Sequence, residues 1–119
     1  MLNSMNFPTY EEITKRVPPS LELSPEVLDF YGGQIVLLTG AGGSIGSRIA
    51  KQLSQIEGLK LVATDRDENA LHSLSLDLAS KALFDDNAFK IMDVRDNDGI
   101  RLVIDEFKPS IVILSLIHI

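Results

Sequence analysis

From Gln34 onward, two kinds of apolar pattern alternate along the chain. Ile35-Val36-Leu37-Leu38 is an unbroken β-prone run, as expected of a strand buried on both faces. Residues 44–57 follow, with Ile45, Ile49, Leu53 and Ile56 at helical spacing. Leu59-Lys60-Leu61-Val62-Ala63 reads as a second strand. Asp67 is then placed to cap a helix that carries Leu71, Leu74, Leu78 and Ala82 on one stripe. Phe89-Lys90-Ile91-Met92 reads as a third strand, and Ile100, Val103, Ile104 and Phe107 mark a third helix that Pro109 stops. Ile111-Val112-Ile113 begins a fourth strand. This β-α-β-α-β-α-β order predicts an α/β fold, a doubly wound parallel sheet with right-handed crossovers and helices on both faces.

Residues 1–33 read differently. Pro8, Pro18-Pro19 and Pro25 interrupt any long periodic element. One short helix is signposted there, with Ser24 as its cap, Pro25 at its first position, Glu26 in its first turn, and Gly32-Gly33 at its end. The segment is expected to be a leader that packs onto the domain.

Composition narrows the function more than the fold. At 119 residues the chain accommodates one domain, and 45% apolar with 24% charged residues is ordinary for a globular protein. A net charge of −6, with basic residues scattered singly, argues against nucleic acid as a partner. The absence of cysteine excludes disulfides and thiolate chemistry, and no metal-ligand cluster stands out. The N-terminus lacks the basic and apolar regions of a signal peptide, and no run approaches the roughly 18 apolar residues of a membrane span. A soluble cytoplasmic protein is expected.

The chemistry concentrates in Thr39-Gly40-Ala41-Gly42-Gly43-Ser44-Ile45-Gly46, between the first strand and the first helix of the alternating region. There Gly40 permits the tight turn, Gly43 lets the backbone approach a pyrophosphate, and Gly46 lets the helix pack on the sheet. The helix N-terminus then holds the phosphates. No Lys-Ser/Thr pair follows, so this is not the phosphate loop of ATP or GTP enzymes. Asp65, at the end of the second strand and 25 residues beyond Gly40, is placed to accept hydrogen bonds from an adenosine ribose. Its charge repels a 2′-phosphate whereas Arg66 attracts one, so NAD is favoured modestly over NADP. Asp93, at the end of the third strand, is expected to accept from the adenine amino group while Val94 packs on the ring. His72, on the polar face of its helix, is expected to be merely solvated.

With those residues in place, the chain resembles the extended short-chain dehydrogenase/reductase superfamily through Thr39 to Gly46, which implies a Rossmann fold. More narrowly it is similar to the CapD-like polysaccharide biosynthesis group of nucleotide-sugar dehydratases and epimerases. Pro18-Pro19 with Leu21 and Leu23 resembles that group's leader, and Asp65 to Leu71 and Asp93 to Asp96 resemble its second and third cofactor-edge motifs. The resemblance implies a homo-oligomeric parent enzyme that uses NAD(P) to oxidise C4 of a UDP-N-acetylhexosamine, eliminate water across C5–C6 and return the hydride. Members often carry N-terminal membrane helices, so a cytoplasmic-side anchor is compatible with it. The group's catalytic Tyr-x-x-x-Lys is missing, since Tyr10 is followed four residues on by Thr14 and Tyr31 by Ile35. Residues 114–119 also depart from the small-residue stretch and Lys-His pair expected after the fourth strand. The expectation is therefore an inactive N-terminal piece: leader 1–33, partial NAD(P)-binding domain 34–113 and a non-native tail 114–119. An oxidoreductase acting on a non-sugar substrate and a non-catalytic dinucleotide-binding module remain the alternatives.

Overall fold

A computed structural model describes residues 24–81 and 87–115. The expectations for Pro8, Pro18-Pro19, Leu21, Leu23, Ala82 and residues 116–119 lie outside those residues. Eight elements follow in chain order: α1 (Pro25–Tyr31), β1 (Ile35–Thr39), α2 (Ser44–Leu53), β2 (Lys60–Asp65), α3 (Glu68–Lys81), β3 (Asn87–Ile91), α4 (Asn97–Phe107) and β4 (Ile111–Leu114). The four strands form one parallel sheet in the order β3-β2-β1-β4.

The apolar runs divide between two cores by the period-two alternation of a strand. Val36 and Leu38 of β1, with Leu61 and Ala63 of β2, face a cluster completed by Ala50 and Leu53 of α2 and Leu71, Leu74 and Leu78 of α3. Val27 and Tyr31 of α1 pack on this same cluster. Leu37 and Val62 point the other way, against Met92 and Val103, with Ile100 and Phe107 of α4 packed alongside. Thus α1, α2 and α3 cover one face of the sheet and α4 the other. Among the described residues the second cover is thinner. Leu102 and Ile104 of α4 are exposed, as are Val112 and Leu114 of β4, and Val112 stands in register with Leu37.

Local signals explain most of the boundaries. Ser24 caps α1 by accepting from the Val27 N–H, Asp67 caps α3 by accepting from Ala70, and Asp96 caps α4 by accepting from Asp98. Helix α4 ends at Lys108, which adopts the left-handed conformation (φ 50°) just before Pro109. Two of the boundaries that differ from the periodicity have a local cause. Helix α2 stops at Leu53 rather than Glu57, because the Ser54 hydroxyl donates back to the Lys51 carbonyl and the chain turns, leaving Ile56 buried outside the helix. Strand β3 begins at Asn87, where pairing with Leu61 and Val62 recruits residues that have no apolar signal of their own.

Candidate functional site

The chain leaves β1 and turns back along α2 where the sheet order reverses, with β2 on one side of β1 and β4 on the other. In doubly wound folds the ligand crevice opens at this reversal, beyond the carboxyl ends of the strands. The glycine loop lies there. Gly40 has φ +63°, and a Cβ on it would collide with the Ser115 carbonyl oxygen at the end of β4. A Cβ on Gly46 would collide in turn with the Gly40 carbonyl oxygen. Both glycines are therefore fixed by close backbone packing: Gly40 at the turn, as the sequence suggests, and Gly46 against the loop at Gly40 and Ala41 rather than against the sheet. Thr39 has a narrower role: it is buried, and its hydroxyl and carbonyl oxygens both accept from the Ser115 N–H, closing β1 onto β4.

Gly43 occupies the N-cap position of α2 at φ −74° and ψ 175°, a conformation open to any residue. A Ser, Thr, Asp or Asn there could cap the helix, yet α2 has no side-chain cap, unlike α1, α3 and α4. The N–H groups of Ser44, Ile45 and Gly46, in the first turn, have no carbonyl one turn back to bond. The positive end of the α2 dipole and these donors together make a place for an anion.

Asp65 ends β2 beside this loop. Its Oδ2 accepts the Gly42 N–H at 2.8 Å and its Oδ1 accepts the Asp67 N–H at 2.9 Å. Each oxygen keeps a further lone pair, so the carboxylate can serve as a clamp and still receive hydroxyl donors. Arg66 beside it is exposed. Two supporting residues left no clear mark in the sequence. Thr64, fully buried, donates its hydroxyl to the Leu38 carbonyl at 3.0 Å, and its own carbonyl accepts the Ala41 N–H. Ala70 faces Gly42 across the start of α3.

The third cofactor-edge pair lies beyond the strand rather than at its end, since β3 closes at Ile91. The Met92 N–H still bonds the Asp65 carbonyl at 3.0 Å, which keeps Asp93 on the same edge of the sheet. Val94 is half-buried against the Leu37, Val62, Met92 and Val103 cluster. Asp93 is gripped by Arg95, with Nη2 2.8 Å from Oδ2 and Nε 3.1 Å from Oδ1, and it also accepts the Arg95 N–H at 2.9 Å. These hydrogen bonds, helped by the charges of Arg95 and Arg66, hold the Asp93 carboxyl at about 2, below its ordinary 3.8, and raise Arg95. Because the folded value is the lower one, the pair stabilises the fold above the unfolded value near 4, and the contribution is lost as pH falls through about 2. Carbon-detected NMR titration should find Asp93 charged down to about pH 2, with Arg95→Ala returning it toward 3.8. A wild-type midpoint near 4 would contradict the pairing.

A shallow groove of about 590 Å³ runs between α2 and α3, lined by Gly42, Ser47, Lys51, Ala70, Ser73, Leu74, Leu76 and Asp77. It lies on the helical layer, and the Lys51–Asp77 ion pair at 2.8 Å belongs to its wall. His72 is exposed. No helix among the described residues is long and apolar enough to cross a membrane.

Residues 36–116 match the family of polysaccharide biosynthesis proteins, and the chain belongs to that family. It is 32% identical over 111 residues to the probable polysaccharide biosynthesis protein EpsC of Bacillus subtilis (strain 168), a match covering 91% of this chain and 18% of EpsC. It is 31% identical over 119 residues to the capsular polysaccharide biosynthesis protein CapD of Staphylococcus aureus, covering 98% of this chain and 20% of CapD. The chain thus spans about a fifth of the length of these curated relatives. Among solved structures it resembles a short-chain dehydrogenase/reductase from Burkholderia phymatum in complex with NAD. The TM-score is 0.57 at 27% identity, over 65% of this chain and 26% of that one. The fold is that of the short-chain dehydrogenases and reductases, a Rossmann-like parallel sheet.

Proposed function

We propose that this chain is the NAD(P)-binding part of a nucleotide-sugar 4,6-dehydratase or epimerase of polysaccharide biosynthesis, with NAD favoured over NADP. The observation that carries the reading is the uncapped N-terminus of α2 behind Gly40, Gly43 and Gly46, set beside the Asp65 carboxylate at the strand-order reversal. In it, Thr39, Gly40, Gly42 and Gly43 shape the loop. The first-turn N–H groups of Ser44, Ile45 and Gly46 hold the pyrophosphate. Asp65 receives the ribose hydroxyls, with Arg66 at its side. Asp93 and Val94 border the adenine, and the Arg95 pair keeps the Asp93 carboxylate ionised and oriented. The nicotinamide, when bound, would take the hydride from the sugar's C4 and give it back, to C6 after water has left across C5–C6 in a dehydratase or to C4 in an epimerase. Water elimination needs a proton shuttle, and no Tyr-x-x-x-Lys is present in these residues. That part of the chemistry, the sugar nucleotide and the homo-oligomeric, cytoplasmic-side assembly belong to the full-length protein.

The test is turnover by the full-length protein. Purified with NAD(P), it is expected to convert a UDP-N-acetylhexosamine to a 4-keto-6-deoxy or a C4-inverted product, seen by proton NMR. Oxidation of a non-sugar alcohol with no change in any UDP-N-acetylhexosamine would replace this reading.

A further inference from the structure

The glycine at position 42 is not explained by its backbone. Its φ lies outside the left-handed region, where Gly33, Gly40 and Gly58 are found. What excludes a side chain there is space. A Cβ on Gly42 would stand 2.6 Å from the Ala70 Cβ, 3.0 Å from the Ala70 carbonyl carbon and 3.1 Å from Asp65 Oδ2. Hydrogen bonds join these three residues to Asp67. Gly42 donates to Asp65 Oδ2, Asp67 donates to Asp65 Oδ1, and Ala70 donates to Asp67 Oδ1 at 3.1 Å. The glycine loop, the end of β2 and the first turn of α3 therefore close into one ring around the Asp65 carboxylate.

We propose that Gly42 and Ala70 are a size-matched pair of positioning residues, which sets how far the Asp65 carboxylate stands from the phosphate-facing loop. This rests on the dinucleotide reading above. A dinucleotide bridges those two parts of the site through a ribose and a pyrophosphate of fixed covalent length, so their separation decides how well both are met. Carbon atoms in contact settle at about 3.5–4.0 Å, so a methyl group on residue 42 must push the start of α3 away by about 1 Å. Displacements of that size in a positioning group weaken function by tenfold to a hundredfold. Asp65 travels with α3 through Asp67, so its contact with the ribose is lost before the loop's contact with phosphate. Discrimination against a 2′-phosphate falls with it.

Calorimetric titration of the 119-residue chain with NAD and with NADP tests this. Gly42→Ala is expected to weaken NAD at least about tenfold and NADP less, lowering the preference ratio. G42A/A70G should recover most of the NAD affinity and of the preference ratio that G42A loses, the coupling expected of residues in contact. If G42A does not fold, Ala70→Val makes the same approach from the helix side and should lower the same ratio. Unchanged NAD affinity in folded G42A or A70V would overturn the proposal, as would a double variant no better than G42A. So would equal losses for both cofactors that merely track the melting temperature. A wild-type chain that binds neither cofactor would instead bring down the dinucleotide reading, and this inference with it.

Discussion

Gly40→Ala is expected to destabilise the domain by roughly 2–5 kcal/mol and to abolish dinucleotide binding, the largest effect of any single methyl group in the loop. Two costs add at this position. The left-handed φ of +63° carries a penalty of about 1–2 kcal/mol for any residue with a Cβ. The new methyl group also lands on the Ser115 carbonyl oxygen, so the end of β4 must move, and overpacking of this kind costs about 1–3 kcal/mol. Gly33 isolates the first cost: its φ is +81° but nothing lies within 4 Å of its Cβ position, so Gly33→Ala should lose only about 1–2 kcal/mol. Urea unfolding of the two variants side by side separates strain from collision. A Gly40→Ala variant no less stable than Gly33→Ala would show that β4 does not press on the loop.

Asp65→Ser should act on two properties at once. Removing the carboxylate removes the charge that repels a 2′-phosphate and leaves Arg66 free to meet one. Selectivity should therefore move toward NADP by about tenfold or more, the worth of one charge-assisted hydrogen bond. The fold also loses an acceptor for the Gly42 and Asp67 N–H groups, at a cost of about 1–3 kcal/mol where those groups are shielded from water. Asp65→Asn is not a gentler substitute. Both carboxylate oxygens face backbone donors, so whichever one becomes an amide nitrogen sets donor against donor. Paired titrations with NAD and NADP alongside urea unfolding would show both effects. Equal weakening of both cofactors, with the ratio unmoved, would reduce Asp65 to a clamp between the loop and α3.

The fold was legible in the sequence because the sheet is covered on both faces, so the cores of its first two strands are unbroken apolar runs. Leu37 and Val62 serve one core while their neighbours serve the other, and no polar residue need intervene. Where this condition relaxes, reading became less sharp. Asn87 and Ala88 are strand residues only because they pair with Leu61 and Val62, and Ile56 keeps the helical period although the helix has already ended. Ile104 fits the stripe of α4 yet stands exposed beside Leu102, because that face of the sheet is only partly covered among the described residues. In the site, the turn at Gly40 and the close approach at Gly46 followed from residue type and spacing. The contacts across the loop did not. That Gly42 meets Ala70 and that Asp65 accepts the Gly42 N–H depend on how three segments dock, which no local pattern encodes.

A dinucleotide bound on the glycine loop at the carboxyl edge of the sheet would leave a residue-by-residue signature. The most direct test is a titration of the isotopically labelled 119-residue chain with NAD, followed through its backbone amide resonances. Saturable shifts are expected at residues 40–46, at Asp65 and at Asp93 and Val94, with the groove between α2 and α3 beyond Gly42 undisturbed. Saturation with no change in the loop, or shifts gathered instead around Lys51, Ser73 and Asp77, would contradict it.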